Sequence, residues 1–328
     1  MAILNGLYIG VEIGASKHQI CLADAAGKIL KMDSGKVKLE KGAAGILAWM
    51  KEHISAMIES RPAGSEIVAV AVGFGGIIET ATGVSVISVQ VDGWKDFNIK
   101  AWFESAFQVP CFVLNDTVAG GFAEYYAGSG VGCENFFYTN IGSGIGGVFF
   151  LNGTYYDGSG YGAAYFGHTY IPDWTRTDCN SYDKVENLCS GFGIQNRLRK
   201  PGYVPHDSKM LELAGGDASR ISGLTLELAA KEGDAFALAE IDRIARGYSV
   251  GLANVITLIH PQIVSIGGGI ANMGDMLLDP VRKYTDEKVF ISAKGKYKIV
   301  KCALGNDVVP VGAVIYAAKE MKNRESGV

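Results

Sequence analysis

The sequence lacks the features that mark membrane, disulfide-rich and nucleic-acid-binding proteins. It has no run of about 18 apolar residues, no block of like charges, and no CxxC pair among its six cysteines. The net charge is −4 and the basic residues are scattered, which argues against binding to nucleic acid or a membrane. The apolar start MAILNGLYIG has no basic residue ahead of it, so we expect no signal peptide. These absences favour a cytoplasmic protein that acts on small molecules.

Glycine is the residue type in clear excess. The 328 residues include 44 glycines, about twice the ordinary usage. Three glycine-rich turns follow predicted strands, at residues 12–16, 141–147 and 266–271. Glycine turns allow backbone N–H groups to approach an anion closely, although ordinary hairpin chemistry also explains each turn alone. None of them fits GxxxxGK[ST] or GxGxxG, which disfavours P-loop and Rossmann sites.

The apolar pattern predicts an α/β protein with a repeated plan. The first 40 residues predict a three-stranded antiparallel meander, and a helix with apolar residues at helical spacing follows. Residues 136–156 repeat the succession of strand, turn, strand, turn and strand. We therefore expect an internal duplication. The length favours two domains or two lobes.

Taken in order, the three glycine turns resemble the two phosphate loops and the adenosine motif of the actin-like ATPase superfamily. Over nearly its whole length the chain resembles the ROK family (repressor, open reading frame, kinase). YIGVEIGASKHQICLAD is similar to the first phosphate loop of that family, YTNIGSGIGGVFFLNGTYY to its second, and GLANVITLIHPQIVSIGGGI to its adenosine segment. The resemblance implies an α/β fold of the actin-like ATPase (ribonuclease H-like) type, with two lobes around a central cleft. It implies a smaller lobe of residues 1–116 plus 312–328 and a larger lobe of residues 117–311.

The resemblance also implies a sugar kinase that uses ATP and Mg²⁺ to phosphorylate a hexose or hexose derivative. Asp116, directly after the apolar run CFVL and Asn115, matches the family's general base for a sugar hydroxyl. Asn115 would hold the sugar. The alternative is that Asn115 or Asp116 caps a helix that starts near Thr117, because both residue types are favoured caps.

Other site residues are carried over by the same resemblance. The remaining sugar contacts would come from Gly75, Gly76, Gln90, Tyr165, His168 and Glu186. The contacts to ATP would come from Glu12, Gly14, Ala15, Ser16, Lys17, Gly142, Ser143, Gly144, Gly267, Gly268 and Gly269.

Four of these positions depart from the family pattern, and one of them, Ala15, replaces a glycine but is small enough for a hairpin turn. Tyr165 replaces a sugar-binding glutamate and Gln90 replaces asparagine, so we expect an acceptor that differs from plain glucose. Glu12 replaces the aspartate that organises Mg²⁺, which predicts less exact placement of the metal. Glu186 matches a sugar-contacting glutamate, although a solvated helix carboxylate is nearly as good an interpretation.

ROK proteins commonly hold a structural zinc ion with a histidine, matched here by His168, and three cysteines. Alignment through Glu186 puts Thr177, Cys179 and Lys184 at the cysteine positions. A tetrahedral structural zinc site needs four nitrogen or sulfur ligands, so we expect no zinc here. His168 would then bind sugar directly or be a satisfied interior histidine.

The second hypothesis is a sugar-binding regulator without catalysis, because the family includes transcriptional repressors. Those repressors carry a helix-turn-helix segment before the first phosphate strand, which here begins by about residue 6. We therefore expect sugar and ATP, and no nucleic acid, as partners. The family resemblance implies a homodimer.

Overall fold

The computed structural model describes residues 6–87, 91–160, 164–176 and 180–326. In chain order the strands are β1 (Leu7–Ile13), β2 (Lys17–Ala23), β3 (Ile29–Lys36), β4 (Ile67–Phe74), β5 (Ile77–Glu79), β6 (Val84–Ile87), β7 (Phe97–Asn98), β8 (Cys111–Asn115), β9 (Phe136–Ile141), β10 (Ile145–Leu151), β11 (Thr154–Tyr156), β12 (Tyr170–Pro172), β13 (Tyr182–Lys184), β14 (Ile263–Gly267) and β15 (Lys298–Lys301). The helices are α1 (Gly42–Glu59), α2 (Ile99–Phe107), α3 (Asp116–Ala127), α4 (Val185–Cys189), α5 (Gly191–Leu198), α6 (Lys209–Leu213), α7 (Gly223–Lys231), α8 (Ala235–Ile259), α9 (Asp275–Asp286) and α10 (Val308–Ser326).

The chain divides into two compact units. The first unit comprises Met1–Gly132, Thr154–Ala163 and Ala303–Val328, and the second comprises Cys133–Gly153 and Ala164–Cys302.

The main sheet of the first unit has the strand order β3-β2-β1-β4-β8. Strand β1 runs antiparallel to β2 and parallel to β4, and β4 runs parallel to β8. Every residue of β1 is buried, as expected for a central strand that is covered on both faces. Helix α1 packs its apolar stripe against one face of this sheet. The shared apolar cluster includes Ile9, Val11, Met50, Ile54 and Val72.

The register of the first-unit sheet aligns the ends of its three parallel strands. Ile13 of β1 pairs with Phe74 of β4, and Phe74 pairs with Asn115 of β8. The loops that follow these three residues therefore leave the same edge of the sheet. Ligands of open α/β sheets bind at the carboxyl ends of parallel strands, so this edge is the expected place for a site.

The second unit repeats this plan. Its strands follow the order β10-β9-β14-β15, with β9 antiparallel to β10 and parallel to β14. Asn140 near the end of β9 pairs with Gly267 at the end of β14, so the turns after these strands also leave one edge. The long helix α8 buries Ile244, Leu252 and Ile256 in the core of this unit.

The predicted α/β class is confirmed, and the strand order of the two units supports the predicted duplication. The predicted lobe boundaries stay a prediction; the first compact unit also contains residues 117–132, 154–163 and 303–311, which the prediction gave to the larger lobe. The packing of α3 against α10 is one reason. No helix among the described residues is both long and apolar enough to cross a membrane.

Candidate active site

Asp116 lies where strand β8 passes into helix α3. Asn115 is the N-cap of α3, and its Oδ1 accepts hydrogen bonds from the N–H groups of Thr117 and Val118, at 2.9 and 3.4 Å. The Asn115 amide also donates to the carbonyl of Gly76 at 3.1 Å. The capping alternative therefore holds for Asn115, whose side chain ties the start of α3 to the loop after β4. Its predicted contact with sugar stays a prediction.

Gly75 leaves room for the carboxyl group of Asp116. The N–H of Gly75 donates to the carbonyl of Ile13 at 2.8 Å, which holds the loop after β4 against the end of β1. A Cβ atom on residue 75 would lie 3.2 Å from Oδ2 of Asp116. Glycine at position 75 thus lets the backbone approach the carboxylate closely.

The surroundings of Asp116 favour its protonated form more than water does. Burial raises the pKa of this carboxyl group to about 6, although hydrogen bonds from the N–H and hydroxyl of Thr117 partly oppose the rise. A carboxylate with a pKa near the working pH suits a group that both accepts and releases a proton.

The first glycine turn carries a second carboxyl group. Burial raises the pKa of Glu12 to about 7; the ammonium group of Lys17 opposes the rise, and the nearby charge of Asp116 adds to it. The Lys17 ammonium group lies 3.3 Å from the Glu12 carboxylate. The turn between them closes where the N–H of Gly14 donates to the carbonyl of Lys17 at 3.1 Å. Ala15 and the exposed Ser16 form its tip.

In the second unit, Glu186 braces the second glycine turn. Its Oε2 accepts a hydrogen bond from the N–H of Ile145 at 2.7 Å, directly after Gly144. The N–H of Gly191, at the start of α5, donates to the carbonyl of Gly142 at 2.8 Å, and the next N–H donates to Ser143. The turn is therefore fixed from two sides, as a backbone cradle for an anion requires.

The third glycine turn lies beside the second. Gly268 has φ +89°, and a Cβ atom there would lie 2.5 Å from the carbonyl of Ile141, the last residue of β9. Only glycine satisfies both the backbone conformation and this close approach. Gly267 ends β14, whereas a Cβ atom on Gly269 would meet nothing within 4 Å. The loop at Gly269 is thus open to a ligand.

His168 and Tyr165 lie near Glu186. Nε2 of His168 is 3.9 Å from Oε1 of Glu186, and its Nδ1 is 3.2 Å from the ammonium nitrogen of Lys184. The Tyr165 ring stands nearly perpendicular to the His168 ring at a centroid distance of 6.3 Å. The His168 side chain is half exposed, which argues against the alternative of an interior histidine.

The residues near His168 do not fit a structural zinc ion. Among the described residues, no three His, Cys, Asp or Glu side chains are grouped as a metal site. Lys184 points a cation at the histidine that would ligate zinc. The thiol of Cys189 is buried and donates to the carbonyl of Ile244, and burial raises its pKa to about 12, so a thiolate is strongly disfavoured there.

The structure thus gathers the predicted residues in two sets. The first-unit set contains Glu12, Gly14, Ala15, Ser16, Lys17, Gly75, Gly76, Asn115 and Asp116. The second-unit set contains Gly142, Ser143, Gly144, Tyr165, His168, Glu186, Gly267, Gly268 and Gly269. Gln90, Thr177 and Cys179 lie outside the described residues.

Sequence reasoning missed two features of these sets. The carbonyl of Asn306 accepts hydrogen bonds from Lys17 and Gln19, at 3.3 and 2.8 Å, and so helps to hold the first turn. Lys184, which the zinc alignment places at a cysteine position, contacts His168. Sequence spacing does not signal the Asn306 contacts, because the partners are 289 and 287 positions away. It does not signal the Lys184 contact either, because the two hairpin strands that bring Lys184 to His168 have only three residues each.

Comparison with known proteins decides the family. The profile described as "ROK family" matches residues 8–320. The chain belongs to the ROK family. Its structure also resembles that of a ROK family glucokinase from Streptomyces griseus in complex with glucose and AMPPNP, with a TM-score of 0.80 and 26% identity over 96% of this chain and 100% of that chain. The ROK sugar kinases have the actin-like ATPase fold, so the predicted fold is confirmed.

Relatives include both kinases and regulators. A glucokinase from Streptomyces coelicolor is 30% identical over 312 residues, which cover 94% of this chain and 96% of the relative. A ROK family transcriptional regulator, a homologue of the Escherichia coli MLC protein, has a TM-score of 0.78 and 22% identity, and matches 96% of this chain and 78% of the regulator. That second likeness bears on the fold alone.

Proposed function

We propose that the protein is an ATP-dependent sugar kinase that phosphorylates a hexose or hexose derivative, with Asp116 as general base. The sugar oxygen would form a bond to the γ-phosphorus of ATP while the bond from that phosphorus to the β-phosphate oxygen breaks. The hydroxyl proton would pass to Asp116, and ADP would leave.

The main support is the position and pKa of Asp116. The residue follows the carboxyl end of a parallel strand, and burial raises its pKa to about 6. A structural cap does not need a raised pKa, and Asn115 already caps α3. The similarity to proteins named glucokinase supports the choice of a sugar as the acceptor.

The chain's own residues fit a divalent cation with ATP. Glu12 and Asp116 repel each other, and this repulsion contributes to the raised pKa of Glu12, so a nearby cation would relieve it. Glu12 is the residue that would hold Mg²⁺, whose bound form would draw negative charge from the phosphates. The N–H of Gly142 donates to the carbonyl of Gly144 at 2.9 Å and so closes the turn, which leaves the N–H groups of Ser143 and Gly144 to orient the phosphates. The loop at Gly269 would accept adenosine.

A single assay tests this proposal against the regulator hypothesis. ADP release is measured with Mg·ATP over a panel of hexoses, amino sugars and N-acetyl sugars, for the wild type and for Asp116→Asn. Turnover that falls at least 1,000-fold in the variant, with nucleotide binding retained, supports a kinase with this base.

The alternative predicts a different result. A regulator binds sugar or nucleotide without turnover on any sugar of the panel. The ion pair between Lys17 and Glu12 favours this alternative, because it occupies the carboxylate that would hold the metal.

A further inference from the structure

Lys184 holds a position that ties it to His168 through the backbone. Strand β13 ends at Lys184, which pairs with Tyr170 of β12, and His168 lies just before β12. The N–H of Val185 donates to the carbonyl of Thr169 at 2.9 Å and extends this pairing. The register of the hairpin therefore brings the Lys184 ammonium group within 3.2 Å of His168 Nδ1.

This contact decides which ring nitrogen carries the proton. An ammonium group has three donors and no acceptor, so the nitrogen that it contacts must accept. In a neutral imidazole the proton then lies on the other nitrogen. His168 thus presents Nε2–H on the side of the ring that is nearer Glu186.

The Nε2 atom and the nearby carboxylate of Glu186 are not hydrogen-bonded to each other, so both can contact a ligand. The distance from Nε2 to Oε1 of Glu186 is 3.9 Å, which is too long for a direct hydrogen bond. Oε2 of the same carboxylate is held by the N–H of Ile145 at 2.7 Å, so the orientation of Oε1 is fixed. A fixed donor and a fixed acceptor at this spacing suit neighbouring hydroxyl groups, each of which donates and accepts.

We propose that Lys184 is a positioning residue that holds His168 in the tautomer that donates from Nε2 to a hydroxyl of the bound sugar. The proposal rests on the proposed function for the identity of the ligand. Its first half concerns only this chain, because the tautomer is a property of the free protein.

The tautomer is measured by nitrogen NMR shifts of the histidine rings, with His168→Gln used to assign the signal among the five histidines. In the wild type the shifts should show Nε2 protonated and Nδ1 free. In Lys184→Met, which keeps most of the unbranched side chain but has no donor, this preference should be lost. Lys184→Arg should restore it, because a guanidinium group also donates without accepting. Lys298→Met, at an exposed position on β15, controls for the loss of one charge and should leave the His168 signal unchanged.

The kinetic arm uses the best acceptor from the sugar panel. In Lys184→Met, KM for the sugar should rise about tenfold, which is the value of one well-oriented hydrogen bond, and kcat should change less. Lys184→Arg should recover most of this loss.

Several results would overturn the proposal. They are a wild-type His168 protonated at Nδ1, an unchanged tautomer in Lys184→Met, or stoichiometric zinc in the purified protein. If no sugar is turned over, the kinase proposal fails while the tautomer measurement still decides the role of Lys184. If turnover is normal but Lys184→Met leaves both the nitrogen shifts and KM unchanged, the proposed role of Lys184 is wrong and the kinase proposal stands.

Discussion

Gly75 and Asp116 face each other closely enough that a Cβ atom on residue 75 would lie 3.2 Å from Oδ2 of the carboxyl group. We therefore expect Gly75→Ala to displace this carboxylate by a few tenths of an ångström. A general base is sensitive to small displacements, so kcat should fall about tenfold or more. The melting temperature and the affinity for ATP should change little. A variant with wild-type kcat would show that the position of Asp116 tolerates the methyl group.

The rate should depend on pH through Asp116. Its pKa is raised to about 6, and only the ionised form accepts a proton, so activity is present above this value and lost below it. With saturating Mg·ATP, kcat/KM for the sugar should fall about tenfold per pH unit below about 6. The check is a profile from about pH 5 to 8.5 for the wild type and for Glu12→Gln, which removes the group with a pKa of about 7. A flat profile down to pH 5 in both proteins contradicts the assignment.

Asp116 should also reduce the stability of the fold above its pKa. A carboxyl group with a raised pKa favours folding below its ordinary value of 3.8, and this contribution is lost as the pH rises through about 6. At pH 8 the ionised Asp116 is a cost, so Asp116→Asn should raise the free energy of unfolding there, by at most about 3 kcal/mol. The gain should shrink towards pH 4.

Asp217 provides a control for the predicted sign of the change in stability. Hydrogen bonds from the hydroxyl and N–H of Ser219 hold the pKa of Asp217 below its ordinary value. Asp217→Asn should therefore lower stability at pH 8, and the loss should shrink as the pH falls. Chemical denaturation of both variants at pH 8 and pH 4 tests the two predictions. Stability changes of the same sign in Asp116→Asn and Asp217→Asn would contradict the causes assigned to the two pKa shifts.

We expect Glu12 to limit the catalytic rate, because its side chain is longer than that of aspartate and is paired with Lys17. The carboxylate is paired with Lys17 at 3.3 Å, and the resemblance described above implies the shorter aspartate at this position. Glu12→Asp should move the carboxylate away from the ammonium group and raise kcat/KM for Mg·ATP by about three- to tenfold. Titration with Mg²⁺ at fixed ATP gives the matching metal dependence. A loss of activity in Glu12→Asp would indicate that the longer side chain is adapted to this site.

The periodic parts of the sequence predicted the fold well. Strand β1 and the stripe on α1 were recognisable because buried strands are continuously apolar and buried helix faces repeat every three or four residues. The short hairpin β12–β13 was not predicted, because strands of three residues carry too little periodic signal.

The candidate site was predicted only in part for a related reason. Local sequence patterns revealed the glycine turns and the Asn115–Asp116 pair, since each lies within a few residues of a strand end. Contacts such as Glu186 with Ile145 join residues 41 positions apart, and no local pattern carries that information.

The sequence by itself determined the fold class, the family and the chemical types of the candidate residues, because these depend on local periodicity and on residue identity. Only the tertiary structure decided that Asp116 has a raised pKa, that Asn115 caps α3, and that Lys184 contacts His168. A pKa depends on burial and neighbouring charges, and a contact depends on which strands lie side by side. Both are set by the register of distant segments.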